Sequence, residues 1–204
     1  PLGGRNFETY SEDPYLAGEI GLNWVLGLQH KGVGVSVKHF AGNDQERERM
    51  RVNVIISERA LREIYLAPFE KIVRRAQPWT VMAAYTRLNG TYASENPWLL
   101  RKILKEEWGF EGAVISDWFA THSTAAALNA GLDLEMPGPA LWRGGHLKEA
   151  LDTWQVSEET LDDAVRRVLI LIARCLPGQV PPRPAAVDTA ERRALARDIA
   201  RQSI

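Results

Sequence analysis

The spacing of apolar positions changes repeatedly along the chain, and each change marks an element. After a polar, Gly-rich start over residues 1–13, Pro14 opens a helix with Asp13 as N-cap, and Leu16, Ile20, Trp24 and Leu28 recur at helical spacing. Gly32 and Gly34 end it, and residues 33–37 predict a short strand running into Lys38-His39-Phe40. Residues 41–51 are densely charged and predict a long loop. Ser57 caps a second helix bearing Leu61, Ile64, Tyr65, Phe69, Ile72 and Val73, which Pro68 should kink. Residues 80–85 predict a second strand, and Asn89-Gly90 a turn. Asn96-Pro97 begins a helix through Leu100, Ile103, Leu104 and Trp108 that Gly109 terminates. Residues 113–116 predict a third, almost wholly apolar strand that stops at Asp117. A helix over 121–130 stops at Gly131, and residues 132–136 form a weaker fourth strand closed by Pro137-Gly138-Pro139. Helices over 146–153 and 157–175, the latter capped by Ser157, lead to a Pro-rich linker at 177–184 and a last helix at 188–202.

Strands alternating with helices predict an α/β fold with parallel strands and the helices outside them. Four such strands do not close a barrel, and a (β/α)8 barrel needs about 250 residues. The expectation is therefore a partial (β/α)8 TIM-like barrel whose N-terminal strands are missing, with residues 1–176 as its C-terminal portion. A small open α/β sheet is the alternative.

Composition narrows the function classes. A net charge of −1 argues against a nucleic-acid partner. No apolar run reaches the ~18 residues of a membrane span, so no membrane partner is expected. The single cysteine, Cys175, excludes an internal disulfide framework and a multi-cysteine zinc site, and slightly favours a cytoplasmic setting. The chain starts at Pro1 without a methionine, so a signal segment lost with the start would go unseen. His30, His39, His122 and His146 are too scattered for a metal triad, and no cofactor is expected. Seven tryptophans and five tyrosines serve either as core anchors or as walls for a sugar ring.

Polar residues gather just past the strand ends: Lys38-His39, Tyr85, Asp117-Trp118 and Glu135. In a parallel α/β barrel these ends share one rim, where active sites lie. Asp117 reads either as an N-cap or as a catalytic carboxylate, and in the second role it needs donors or cations around it to stay ionised. Lys38 and His39 are such donors, but both reach one ligand only if the strand ends or bulges there. A Schiff-base role for Lys38, as in a barrel lyase, is a second reading. Arg5, Arg47, Arg49 and Arg51 read as solvated charges, the last three interspersed with Glu46 and Glu48.

Several blocks taken in order carry a resemblance. They are Gly4-Arg5-Asn6-Phe7-Glu8, Tyr10-Ser11-Glu12-Asp13-Pro14, Lys38-His39-Phe40, Asn43 with Gln45-Glu46 and Arg49, Glu58-Arg59-x-Leu61-Arg62-Glu63-Ile64-Tyr65, Asn89-Gly90, and Trp108-Gly109-Phe110-x-Gly112 leading to Ser116-Asp117-Trp118. Together they closely resemble family 3 glycoside hydrolases of the β-glucosidase type. The resemblance implies a catalytic (β/α)8-like barrel followed by an α/β sandwich domain, which would begin within residues 177–204. It implies a retaining mechanism on small β-glycosides, with Asp117 as nucleophile. It also implies that Lys38 and His39 bind sugar hydroxyls, that Arg5 and Arg49 belong to the same pocket, that Tyr85 stands near the nucleophile, that Trp118 forms an aromatic wall and that Met82 lines the pocket. Lys-His-Phe continues here as Ala41-Gly42-Asn43-Asp44, not the Pro-Gly-His-Gly of the N-acetylglucosaminidase branch, which favours a glucosidase or xylosidase. The acid/base is expected from the missing C-terminal domain, so the chain alone should be almost inactive; Asp133 and Glu135 read as structural. The rival readings are a non-catalytic sugar-binding or scaffold protein and the Lys38-dependent lyase.

Overall fold

The structure is a computed structural model and describes residues 3–176 and 188–202; the linker expected at 177–184 lies outside them. Asp13 accepts the amide protons of Tyr15 and Leu16 at 2.7 and 3.0 Å, so helix α1 (Pro14–His30) starts where its cap predicts. Its buried face differs from the Leu16/Ile20/Trp24/Leu28 row. Gly18, Gly21, Leu22 and Val25 are buried, while Trp24 stays 58 % exposed. The glycines explain this, because a Cβ at Gly21 would stand 2.7 Å from the Ile72 side chain and one at Gly18 3.3 Å from the Pro68 backbone. Close helix approach selects the face with the smallest residues, and apolar periodicity alone misses it.

Strand β1 (Ser36–Phe40) includes Lys38 and His39 instead of ending before them. A two-residue strand β2 (Asn53–Val54) follows. Ser57 accepts the Ala60 N–H and caps α2 (Glu58–Ala60), which passes into a π-helical turn over Leu61–Tyr65 closed by the Leu66 N–H on the Leu61 carbonyl. The kink expected at Pro68 is a break at Leu66, with Pro68 in the first turn of α3 (Ala67–Ala76). Strand β3 (Thr80–Ala83) stops short of Tyr85. Asn89-Gly90, both at positive φ, turns a hairpin of β4 (Arg87–Leu88) and β5 (Thr91–Tyr92), and β2 joins it to form a second small sheet. Strands of two residues carry no readable period, so the sequence does not announce this sheet.

Asn96 accepts the Leu99 N–H at 3.1 Å and starts a π-helical Trp98–Glu107 segment. Strand β6 (Ala113–Ser116) lies where predicted. The fourth strand is reduced to a bridge between Ile115 and Leu134. The helix expected over 121–130 is the shorter α4 (Ala125–Ala130), which leaves 117–124 as a loop. Helices α5 (Gly145–Asp152), α6 (Glu158–Cys175, capped by Ser157) and the solvent-exposed α7 (Ala190–Gln202) complete the described residues.

The main sheet is parallel, in the order β1-β3-β6. Val37, Val81 and Val114 lie in register across it and face the helices. Phe40 is fully buried at its edge, with Phe69 and Trp108 meeting it edge-on at 5.1 and 5.7 Å. The opposite face presents Thr80, Met82 and Ile115.

A buried ion pair ties the helix layer to this sheet. Lys105 Nζ sits 2.6 Å from Asp133, whose other oxygen accepts the Val114 N–H at 2.7 Å. Burial pushes the Asp133 carboxyl up and the Lys105 amine down, and each charge offsets the cost for the other. Arg167 of α6 donates to the carbonyls of Phe110 and Gly112 just before β6. Replacing Lys105 with Met strands a buried carboxylate and should cost roughly 3–5 kcal/mol in urea unfolding. An unchanged midpoint would show that the pair contributes nothing net.

Candidate active site

Parallel pairing brings the C-terminal ends of β1, β3 and β6 to one edge, and the chemistry collects there. Opposite Val37 stands Val81, yet opposite Phe40 stands Ala83, so β1 holds one residue more than its partner over that stretch. The bulge re-aims Lys38 and His39, which a regular strand would send to opposite faces.

Asp117 follows β6 directly. Its N–H donates to the Ala83 carbonyl at 3.2 Å, which pins it to β3. The residue is 7 % exposed. Oδ1 accepts the Trp118 N–H at 2.7 Å. Oδ2 is buried without a hydrogen bond and lies 3.5 Å from His39 Nε2. The next helix begins at Ala125, so Asp117 is not an N-cap.

Tyr85 is buried beside this carboxylate. Its hydroxyl is pushed up to about 12, by burial first and by the Asp117 charge second, so the phenol stays protonated. The Arg49 guanidinium lies 4.8 Å over the Tyr85 ring and pairs with Glu46 at 3.0 Å. Met82, 8 % exposed, sits on β3 opposite Ile115. Trp118 and Phe119, next along the chain from Asp117, are 43 and 56 % exposed.

Glu8 is a residue whose position sequence reasoning does not single out. It pairs with Lys38 at 3.0 Å and with Arg5. Burial works to raise its carboxyl, but Lys38 and Arg5 outweigh that and hold it below the usual range. Its signal is present, since Glu8 stands three residues after Arg5 in a short helical turn. The same pairing leaves Lys38 partly exposed and bound to an anion, not desolvated as a Schiff-base amine requires.

A cavity of about 800 Å³ opens on this side, lined by Arg5, Glu8, Lys38, His39 and Asn43 over Tyr65 and Phe69. Asp117, Tyr85, Arg49 and Met82 are outside its wall; His39 lines it and faces Asp117, and so stands between the two groups. Asp133 and Glu135 are occupied elsewhere, Asp133 by Lys105 and Glu135 by the amide protons of Leu141 and Trp142. Among the described residues no three His, Cys, Asp or Glu side chains gather to hold a metal. What remains is a carboxylate with one oxygen uncommitted, beside an imidazole and a protonated phenol, with cationic side chains further out.

Residues 1–171 match the glycosyl hydrolase family 3 N-terminal domain. The chain belongs to glycoside hydrolase family 3. It is 48 % identical over 206 residues to a probable β-glucosidase J of Emericella nidulans, covering 100 % of this chain and 24 % of that protein. It is 50 % identical over 200 residues to a β-glucosidase of Rhizobium radiobacter, with coverage of 97 % and 24 %. The glucose complex of Kluyveromyces marxianus β-glucosidase superposes with a TM-score of 0.89 at 45 % identity, over 98 % of this chain and 25 % of that one. The glucose complex of Thermotoga neapolitana β-glucosidase 3B gives 0.82 at 52 % identity, over 85 % and 25 %. The chain thus spans about a quarter of the length of these relatives. Its α/β fold is that of the barrel-like N-terminal domain of family 3 β-glucosidases.

His39 gives this edge of the site a pH signature. Burial lowers its pKa below the ordinary 6.5, more than the Asp117 charge raises it. The unfolded chain takes up the proton first as pH falls, so the stability tied to the neutral imidazole is complete above about 6.5 and is lost as pH drops through the lower folded value. A His39→Gln variant should flatten the fall of Tm with pH below about 6.5. An identical slope in variant and parent would contradict this.

Proposed function

We propose that this chain carries the nucleophile side of a retaining β-glycosidase site that hydrolyses terminal β-linked sugars, glucosides first among them. The observation that carries this reading is the buried, uncommitted Oδ2 of Asp117 facing His39. Family membership and the glucose named in the two superposed complexes support it.

In this reading Oδ2 attacks the anomeric carbon while an acid protonates the departing oxygen, giving a covalent glycosyl-enzyme that water opens with net retention. The Tyr85 phenol stays protonated beside the carboxylate. Lys38 and His39 donate to sugar hydroxyls. Glu8, which Arg5 and Lys38 share, holds the ammonium in place, and the Arg49 guanidinium lies over the Tyr85 ring. Trp118 offers an apolar face to the sugar's C–H surface, and Met82 lines the floor.

Residues 1–176 are, in this proposal, the C-terminal portion of a (β/α)8 TIM-like barrel, and 177–204 the linker and start of an α/β sandwich domain. The second carboxyl group, needed about 5–5.5 Å from the first, comes from that further domain. No carboxylate near Asp117 among the described residues is placed to serve: Glu8 is held by two cations, and Glu135 by two amides.

In the full-length protein, Asp117→Ala should lower turnover of an aryl β-glucoside by on the order of 10³-fold or more while leaving the unfolding transition in place. A 2-fluoro glycoside should label Asp117, seen by peptide mass spectrometry. Retained turnover in the variant, or a label elsewhere, moves the nucleophile. The 204-residue chain by itself should hydrolyse the same substrate barely above background, and turnover near that of the full-length protein would refute the missing acid/base.

A further inference from the structure

We propose that Glu135 is a positioning residue for Asp117, acting through the loop it closes; this rests on Asp117 being the nucleophile. Glu135 is 7 % exposed. Its Oε1 accepts the Leu141 N–H at 2.9 Å, and its two oxygens receive the Trp142 N–H at 3.2 and 3.0 Å. One buried carboxylate therefore closes the turn that begins at Met136. Bonds of this kind, with an ionised acceptor, are shorter and stronger than neutral ones.

Both ends of that turn are fastened to the segment around Asp117. At the near end the Met136 N–H donates to Ser116 Oγ at 2.8 Å, and the Met136 carbonyl accepts the Phe119 N–H at 3.0 Å. Ser116 and Phe119 bracket Asp117 and Trp118. At the far end the Thr124 hydroxyl donates to the Trp142 carbonyl at 2.5 Å, and Arg143 donates to the carbonyls of Thr124 and Leu132 at 3.2 and 3.0 Å. The positive φ of Phe119 marks a sharp change of chain direction within the stretch so held.

The 117–124 loop contains no helix of its own to hold its course, because α4 begins only at Ala125. Its shape is set from outside, by the loop that Glu135 closes together with Ser94, whose hydroxyl donates to the Ala120 carbonyl at 2.6 Å, and the Tyr92 ring stacked on His122. The distance between Asp117 Oδ2 and His39 depends on that shape. Glu135 touches neither of them, so its effect is on geometry, not on proton transfer.

The test uses the full-length enzyme and counts active sites by trapping with a 2-fluoro glycoside, so that unfolded molecules do not enter the rate. Glu135→Gln should lower kcat per trapped site about tenfold, with KM for the aryl glucoside changed far less, because the amide keeps the shape but loses the ionised acceptor. Ser116→Ala, which removes the side-chain link at the near end and leaves the Phe119–Met136 backbone bond, should lower it similarly. The double variant should be no slower than the slower single one, since both break one path. A normal per-site kcat in Glu135→Gln with only a lower Tm overturns the proposal, as do effects that multiply in the double variant. If Glu135→Gln does not fold, Ser116→Ala decides alone, and a normal per-site kcat there overturns it. A parent enzyme that is not labelled at Asp117 overturns the nucleophile assignment and this proposal together. A labelled parent with normal variants removes only the role of Glu135.

Discussion

Parallel pairing of β3 with β6 is the constraint on which the arrangement rests. Thr80 to Ala83 run in register with Ala113 to Ser116, and the ladder extends one bond further, from the Asp117 N–H to the Ala83 carbonyl. That last bond leaves the side chain of Asp117 at the sheet's edge, where apolar burial ends. β1 joins the other side of β3 through its bulge, and so brings His39 to the same edge. A slip of one residue in either pairing would turn these side chains to the opposite face.

Charge is distributed around that edge with little left unbalanced. Lys38 and Arg5 share Glu8, Arg49 has Glu46, and the buried Lys105 has Asp133 beneath the sheet. Asp117 Oδ2 is the exception: a buried carboxylate oxygen without a hydrogen bond, next to an imidazole that burial keeps neutral and a phenol that burial keeps protonated. An unsatisfied buried polar atom is costly. This one lies at the edge where two parallel strands end, 3.5 Å from His39.

Much of the fold was legible because local rules and tertiary packing agreed. Asp13 and Ser157 cap the helices they precede, β6 lies at its apolar run, and Asn89-Gly90 makes its turn. The misreadings have specific causes. The buried face of α1 is chosen by Gly18 and Gly21, which admit a neighbouring helix, not by its largest apolar side chains. Strands β2, β4 and β5 are too short for a period, and the 132–136 run pairs at a single bridge, the Asp133 side chain taking the Val114 N–H that faces this run. In the candidate site, Asp117, His39 and Tyr85 were readable as polar residues at strand ends. The roles of Glu8 and Glu135 were not, since each depends on what lies across a turn or loop from it.

The sequence by itself determined the alternation of strands and helices, the caps, the apolar strands and the residue types at their ends, because these follow from neighbours a few positions apart. It also determined the family, through blocks preserved in order along the chain. Only the tertiary structure decided that β1 bulges so that Lys38 and His39 turn toward a common region, that Glu8 balances Lys38 and Arg5, and that the loop closed by Glu135 is hydrogen-bonded to residues on either side of Asp117. Those outcomes depend on pairing register and on contacts between distant stretches of chain, and no local periodicity encodes them.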